Sequence, residues 1–234
     1  MDGKKPRKTD KPYKREIRSF VIRDGRITPG QTKALEDYWP IYGFDLAEDL
    51  TPQSKPIDKN LPFLTEQPVV LEIGFGMGDS LFEMAMQSPD INFIGVEVHR
   101  PGVGHLLSLV HREGLKNVRF FKADSVNVLK YGLSDNVLDK VQIFFPDPWH
   151  KKKHHKRRLI TSAFVELIQA KLKPGGLLHI ATDWEPYADD IAELMARTSA
   201  FEKCAAPERV LTKYEKGGLR LGHVVTDLAY KYAN

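Results

Sequence analysis

Val69-Val70-Leu71-Glu72-Ile73-Gly74-Phe75-Gly76-Met77-Gly78 decides the fold. An apolar, β-branched run carrying one carboxylate enters a cluster of three glycines, which reads as a buried strand running into a tight turn. Outward from it, strand-length apolar runs alternate with helix-length segments. Residues 81–87 predict a helix stopped near Pro89, and 92–96 a second strand. Residues 103–113 predict a helix closed by Gly114, 118–122 a third strand and 140–144 a fourth. In 159–172, Ile160, Phe164, Leu167 and Ile168 share one helical face ahead of Pro174-Gly175-Gly176, and 177–181 supply a fifth strand. A helix over 186–197 follows, then a weak strand near Phe201 and a stronger one over 221–229 that suggests a closing antiparallel hairpin. This order predicts an α/β fold with a mostly parallel central sheet, helices on both faces and an antiparallel C-terminal strand.

The 234 residues suit one such domain with extensions. Residues 1–19 read as a basic tail without order of its own, 20–64 as an irregular segment packed on the core, and 65–234 as the main domain. No apolar run reaches the roughly 18 residues that cross a bilayer, and the first residues lack the apolar stretch of a secretory signal. A cytoplasmic protein without a membrane partner is expected. The single cysteine, Cys204, excludes an internal disulfide framework and a thiolate metal site. Adjacent His154 and His155 diverge and have no matching cluster, so no metal is expected.

Charge is uneven. Residues 1–26 carry ten Lys or Arg against four Asp or Glu, and 151–158 carry six against none. Each stretch holds +6 while the whole chain holds +4, so the remainder stands at −8. Two basic segments on an acidic body point to a polyanionic partner held at defined places. Read as the start of a helix, 151–158 would also need an anion to offset six cations at a positive helix terminus.

Ligands of open parallel sheets sit beyond the carboxyl ends of the strands. Those ends carry Glu97, Asp124, Asp147 and Asp183, with Glu72 inside the first strand. The turn has the spacing G-x-G-x-G followed by Asp79, not the G-x-G-x-x-G of a pyrophosphate site, and carboxylates on either side of it disfavour phosphate. A cationic cofactor without phosphate suits it better. Glu97 can accept both hydroxyls of a ribose, and Asp124 an adenine amino group. This set resembles the class I methyltransferases, which are Rossmann-like and bind S-adenosylmethionine.

A narrower resemblance lies in Phe145-Pro146-Asp147-Pro148-Trp149, in the run Lys151-Lys152-Lys153-His154-His155-Lys156-Arg157-Arg158-Leu159, in Ala181-Thr182-Asp183-Trp184 and in Thr212-Lys213-Tyr214-Glu215. Together these resemble the tRNA (guanine-N7)-methyltransferase family. Arg18-Ser19-Phe20-Val21, Gly25-Arg26 and Thr28-Pro29-Gly30-Gln31 are similar to that family's amino-terminal segment. The resemblance implies cofactor contacts from Glu72, Glu97, Asp124 and Asp147, with Gly74, Gly76 and Gly78 beneath the methionine part. It implies substrate contacts from Lys151, Asp183, Thr212, Lys213, Tyr214 and Glu215, and RNA binding by Lys153, His154, His155, Lys156, Arg157 and Arg158. The implied target is the variable-loop guanosine of tRNA at position 46. The resemblance also covers forms that work alone and forms that need a partner; an apparently complete site favours an enzyme active without an accessory subunit, as a monomer or homodimer.

Guanine N7 has a lone pair at neutral pH and needs no general base. A carboxylate near the transition state would stabilise the charge arriving on the ring, and Asp147, stiffened by two prolines, is the candidate catalytic residue. Asp183 and Glu215 could accept hydrogen bonds from guanine N1–H and its exocyclic amine. Two other readings stay open: methylation of another base or an amine, since Pro146-Asp147-Pro148-Trp149 loosely resembles the loop of amino-group methyltransferases, and a silent RNA-binding scaffold.

Overall fold

The computed structural model describes residues 18–21, 25–47, 51, 54, 56–57 and 62–233, so the predicted basic tail lies outside the described residues except for Arg18 and Ser19. Seven strands form one sheet in the order β3-β2-β1-β4-β5-β7-β6. β1 (Val69–Ile73), β2 (Asn92–Val96), β3 (Val118–Phe121), β4 (Leu138–Phe144) and β5 (Leu172–Thr182) all run parallel to one another. β7 (Thr226–Tyr232) lies antiparallel between β5 and β6 (Phe201–Cys204). The expected antiparallel strand is present, but not as a tight hairpin: the connection between β6 and β7 carries a helix of its own. The order reverses between β1 and β4, and this switch point opens the crevice where the site forms.

Two apolar layers sandwich the sheet. On one face Leu71, Ile73, Ile94, Val141, Ile143 and Ile180 pack against α7 (Ser162–Lys171) and α8 (Glu185–Ala196) through Phe164, Ile168, Tyr187 and Ile191. The short α6 (Ser125–Asn127), continued by a π turn over Val128–Gly132, closes this layer beside β3. On the other face Val70, Phe93 and Phe120 meet Leu81 of α4 (Asp79–Gln87) and Val103, Leu106 and Leu107 of α5 (Arg100–Arg112). Segment 20–64 is more regular than expected. It contains α1 (Pro29–Asp37), α2 (Trp39–Tyr42) and α3 (Pro62–Thr65). Thr28 and Gln31 form a capping box at the start of α1, with Pro29 preset for the first turn, and Ala34 and Leu35 bury against the α5 layer.

Three local differences from the sequence reading have clear causes. The helix expected from residue 159 begins at Ser162, because Thr161 accepts from Phe164 N–H and caps it. β5 starts at Leu172 and passes through Pro174-Gly175-Gly176: its register with β4 jumps from Leu138↔Leu172 to Lys140↔Leu177, and Gly175 at φ +79° absorbs the bulge. The strand expected over 221–229 begins only at Thr226, since Leu221 and Gly222 close α9 (Lys213–Arg220) and Leu221 and Val224 stand exposed.

The glycine turn after β1 depends on a neighbour. A Cβ on Gly102, in the first turn of α5, would sit 1.9 Å from the carbonyl oxygen of Gly76. Gly102→Ala should displace that turn, lowering S-adenosylmethionine affinity at least about tenfold, with a Tm loss of a few degrees; unchanged affinity in a cofactor titration would show that the turn tolerates the shift.

Candidate active site

A cavity of about 550 Å³ opens over the carboxyl ends of β1, β2 and β4, lined among others by Gly74, Glu97, His99, Pro101, Ser125 and Asp147. That volume suits a nucleoside-sized cofactor. Gly74, Gly76 and Gly78 adopt φ of +78°, +61° and +82°, so the turn reverses within five residues. Glu97 fastens it: one carboxylate oxygen accepts from Gly76 N–H at 2.8 Å, the other from Val98 and His99 N–H at 2.7 and 2.9 Å. Gly74 and Glu97 line the cavity; Gly76 and Gly78 shape its wall from behind. Asp124 accepts from Val126 N–H at 3.0 Å and caps α6, so it faces an adjoining cleft while its neighbours Ala123 and Ser125 line the cavity.

Glu72 departs from its expected role. It lies buried beneath the turn, away from the cavity lining, and accepts from Gln142 Nε2 at 2.8 Å across the β1–β4 register. Burial pushes its carboxyl up to about 7, against the opposing hydrogen bond from Gln142.

The loop after β4 carries Asp147 into the cavity between two residues at positive φ, Phe145 at 55° and Trp149 at 46°. Such backbone strain persists only where surroundings over-determine it. Asp147 accepts from Trp149 N–H at 3.0 Å. Trp149 donates from Nε1 to Ser19 at 3.1 Å, and the Arg157 guanidinium lies 3.9 Å over the Trp149 ring while donating to the carbonyls of Arg18 and Phe20, both at 3.0 Å. Segment 18–21 is thereby clasped against the cavity, whose lining includes Ser19, Phe20 and Val21.

The basic run divides in two. Residues Lys152–Arg157 form a 3-10 helix rather than the start of an α-helix. Lys151, Lys152, Lys153 and Lys156 are exposed. Arg158 is buried: it pairs with Asp190, donates to the Pro148 carbonyl at 2.8 Å and lies 4.6 Å over the Tyr187 ring. Arg157 is half-buried in its clasp, His154 meets the Trp149 ring edge-on and His155 abuts Arg158. Of the two arginines expected to bind RNA, Arg158 is thus turned inward to hold the loop, and Arg157 holds segment 18–21 through Nε and Nη2.

Across the mouth, Asp183 accepts from Tyr214 Oη at 3.0 Å and contacts His223 Nδ1 at 3.2 Å. Tyr214 is 60% exposed with its ring 5.1 Å from Phe145, and Trp184 stands beside the mouth against His150. Thr212 and Glu215 form the capping box of α9, with Lys213 exposed on its first turn. Glu215 is 4% exposed and is gripped by Arg209, whose Nη1 and Nη2 donate at 2.5 and 2.9 Å. As an open acceptor for guanine Glu215 does not fit this arrangement; both oxygens are taken.

Arg209, Asp227 and His179 were not singled out from the sequence. Arg209 also donates to Asp227 at 2.8 and 3.2 Å, and His179 Nε2 meets Asp227 at 2.8 Å. Burial pushes the Asp227 carboxyl up, but hydrogen bonds from His179 and Arg209 outweigh it and hold the group at about 2. The overlooked signal was a histidine inside Leu177-Leu178-His179-Ile180 and an aspartate opening β7, since a polar residue in a buried strand requires a partner. Among the described residues no group of three or more His, Cys, Asp or Glu could hold a metal ion, and no helix is long and apolar enough to cross a membrane.

Residues 66–228 match the family described as "Putative methyltransferase". A tRNA (guanine-N(7)-)-methyltransferase of Pseudomonas putida is 49% identical, over 94% of this chain and 92% of its own length. The enzymes of that name from Shewanella amazonensis and Yersinia pseudotuberculosis are 48% and 49% identical, covering 95% and 93% of this chain and 94% and 92% of their own. The chain belongs to the tRNA (guanine-N(7)-)-methyltransferase family. Solved structures share its fold at low identity: the 16S rRNA methyltransferase KamB superposes with a TM-score of 0.55 at 17% identity over 81% of this chain and 98% of that one. A 16S rRNA (adenine(1408)-N(1))-methyltransferase from Catenulisporales acidiphilia gives 0.54 at 17% identity over 80% and 93%. The likeness to these two methyltransferases is one of fold.

In this family member the buried Glu72 carboxyl makes stability pH-dependent. The unfolded chain loses this proton near 4.5 and the folded one near 7, so between those values the folded state binds the extra proton and stability falls as pH rises. Gln142, Lys140, Glu97 and Arg209 set the balance around it. Relative to Glu72→Gln, the wild type should lose about 3 kcal/mol across that window. Urea unfolding at pH 5 and pH 8 measures it; an equal gap at both would mean that Glu72 is ionised throughout.

Proposed function

We propose that this chain transfers a methyl group from S-adenosylmethionine to N7 of guanosine 46 in the variable loop of tRNA. The observation that carries the reading is near-half identity, along almost the whole chain, to enzymes bearing that activity in their names, joined to a cavity edged by Glu97 and Asp147. The cavity suits the cofactor: it has a carboxylate for ribose hydroxyls at Glu97, an aliphatic and aromatic lining at Ile73, Val96 and Phe144, and acids where a phosphate would be repelled.

S-adenosylmethionine supplies an electrophilic methyl group on a sulfonium. Asp147 holds its carboxylate at the mouth, where it stabilises positive charge arriving on the guanine ring. No group need remove a proton before attack. Asp183, fixed by Tyr214 and His223, accepts from the guanine edge; Tyr214 and Trp184 offer the ring faces on which an unstacked base rests. Thr212 and Lys213 border the same slot. Lys151, Lys152, Lys153 and Lys156 meet RNA phosphates. The enzyme works in the cytoplasm without an accessory subunit, as a monomer or homodimer.

Purified protein incubated with labelled S-adenosylmethionine and unmodified tRNA transcript should yield labelled 7-methylguanosine on nucleoside analysis. The label should vanish when guanosine 46 is replaced by adenosine. Label in another nucleoside would transfer the reading to a different base, and label that survives the replacement would reject the position.

The lysines and arginines of the basic run should separate experimentally. Lys152→Gln, Lys153→Gln and Lys156→Gln combined should raise the tRNA KM several-fold and shallow its log–log salt slope by about 2 to 3, one unit for each phosphate that is no longer neutralised. Arg158→Gln should instead lower Tm and leave the salt slope as it was. Salt slopes unchanged in the triple variant would move the RNA-binding surface elsewhere.

A further inference from the structure

We infer that Arg209 is a positioning residue that sets the gap between the Asp147 loop and the first turn of α9, and so places the target base relative to the methyl donor. The inference rests on the methyl-transfer reading above. Arg209 lies in a stretch, 205–212, with neither helix nor strand, yet its side chain is only 5% exposed. From there it reaches three separate segments at once. It holds Glu215 at the start of α9 with two donors and Asp227 at the start of β7 with two more hydrogen bonds. Its guanidinium lies 4.9 Å from the Phe144 ring and 5.7 Å from that of Phe145, the end of β4 and the strained residue leading into Pro146-Asp147.

The planar fork makes this possible. Five donors on a flat cation can satisfy two carboxylates edge-on and still present a face to aromatic rings, whereas a lysine offers a point charge on a flexible stem. Phe145 also touches Tyr214, and Tyr214 bonds Asp183. The bond from Arg209 to Glu215 therefore fixes the turn that carries Tyr214, while the face of its guanidinium supports the residue from which the Asp147 loop springs. Arg209 is placed to act on the geometry of both walls without touching either ligand. A displacement of about 1 Å between reacting groups costs on the order of a hundredfold in rate.

The test compares wild type, Arg209→Lys and Arg209→Ala on tRNA transcript, with kcat and KM measured separately and S-adenosylmethionine affinity by calorimetry. Arg209→Lys should keep the cofactor Kd within about twofold and the tRNA KM within about threefold while kcat falls about a hundredfold. Millimolar methylguanidine should restore at least about tenfold of the kcat lost in Arg209→Ala, and methylammonium should not. Should both variants fail to fold, Asp227→Asn, which leaves the grip on Glu215 but frees one side of the fork, should still lower kcat with cofactor affinity retained. A kcat within twofold of wild type in Arg209→Lys, or in Asp227→Asn where that variant stands in, would overturn the assignment. So would cofactor affinity falling in step with kcat and no rescue. Wild-type label in a nucleoside other than 7-methylguanosine would defeat the functional reading alone, because the kcat ratios can be read on whichever product forms.

Discussion

Parallel strands cannot be joined by tight turns, so every strand of β1 to β5 releases its carboxyl end on the same edge of the sheet. That constraint gathers Glu97, Asp124, Asp147 and Asp183 at one edge of the sheet, Asp124 in the adjoining cleft, and leaves Glu72 just below it. Clustered carboxylates repel, and each is offset differently here. Glu97 takes three backbone N–H groups, Asp124 and Asp147 each take one from two residues ahead, and Asp183 takes a phenol and an imidazole. Glu72, which has only the amide of Gln142, is the one whose carboxyl is driven up by burial.

Arginine and lysine divide the remaining work by their shapes. Arg157, Arg158 and Arg209 each combine hydrogen bonds with a ring face, on Trp149, Tyr187 and Phe144 respectively. A guanidinium is weakly hydrated and flat, so it can be drawn inside with its donors satisfied. The lysines of the same basic run carry compact, strongly hydrated charges and remain outside. A run that reads as uniform positive charge is therefore two devices: an exposed row of lysines and a pair of internal clasps.

The strands around the glycine turn were legible because periodicity and flanking glycines coincide there: β1 and β2 fall on their expected residues. What escaped was tertiary in origin. Nothing in Lys153 to Arg158 says which cations have a buried partner; Asp190 and Tyr187, which claim Arg158, lie about thirty residues on. α9 was hidden by Gly217 and Gly218, poor helix formers, although Thr212 and Glu215 carry a capping-box signature that was read only as a substrate motif. Leu221 and Val224 suggested a strand on composition, but no neighbour covers them. The candidate site was legible as a set of acids at strand ends; which of them face the cavity was not, because a single residue step separates Glu72 beneath the turn from Ile73 on the cavity wall.

The two halves of the sheet are held by different forces. Beneath β1, β2 and β3 the face toward α4 and α5 is apolar, through Val70, Phe93, Val118 and Phe120. Beyond β1 the same face turns polar: Glu72, Gln142 and His179 follow one another in register across β1, β4 and β5, bonded as two separate sets, Glu72 with Gln142 and His179 with Asp227 and Arg209. Apolar packing is non-directional and tolerates small shifts in angle, whereas a buried hydrogen bond holds only in a narrow geometry and is costly when broken. The side that receives a cofactor into a preformed turn can rest on packing. The side that carries Asp147, Asp183 and Tyr214 rests on directional bonds, and the switch between the two falls at β1 and β4, where the strand order reverses.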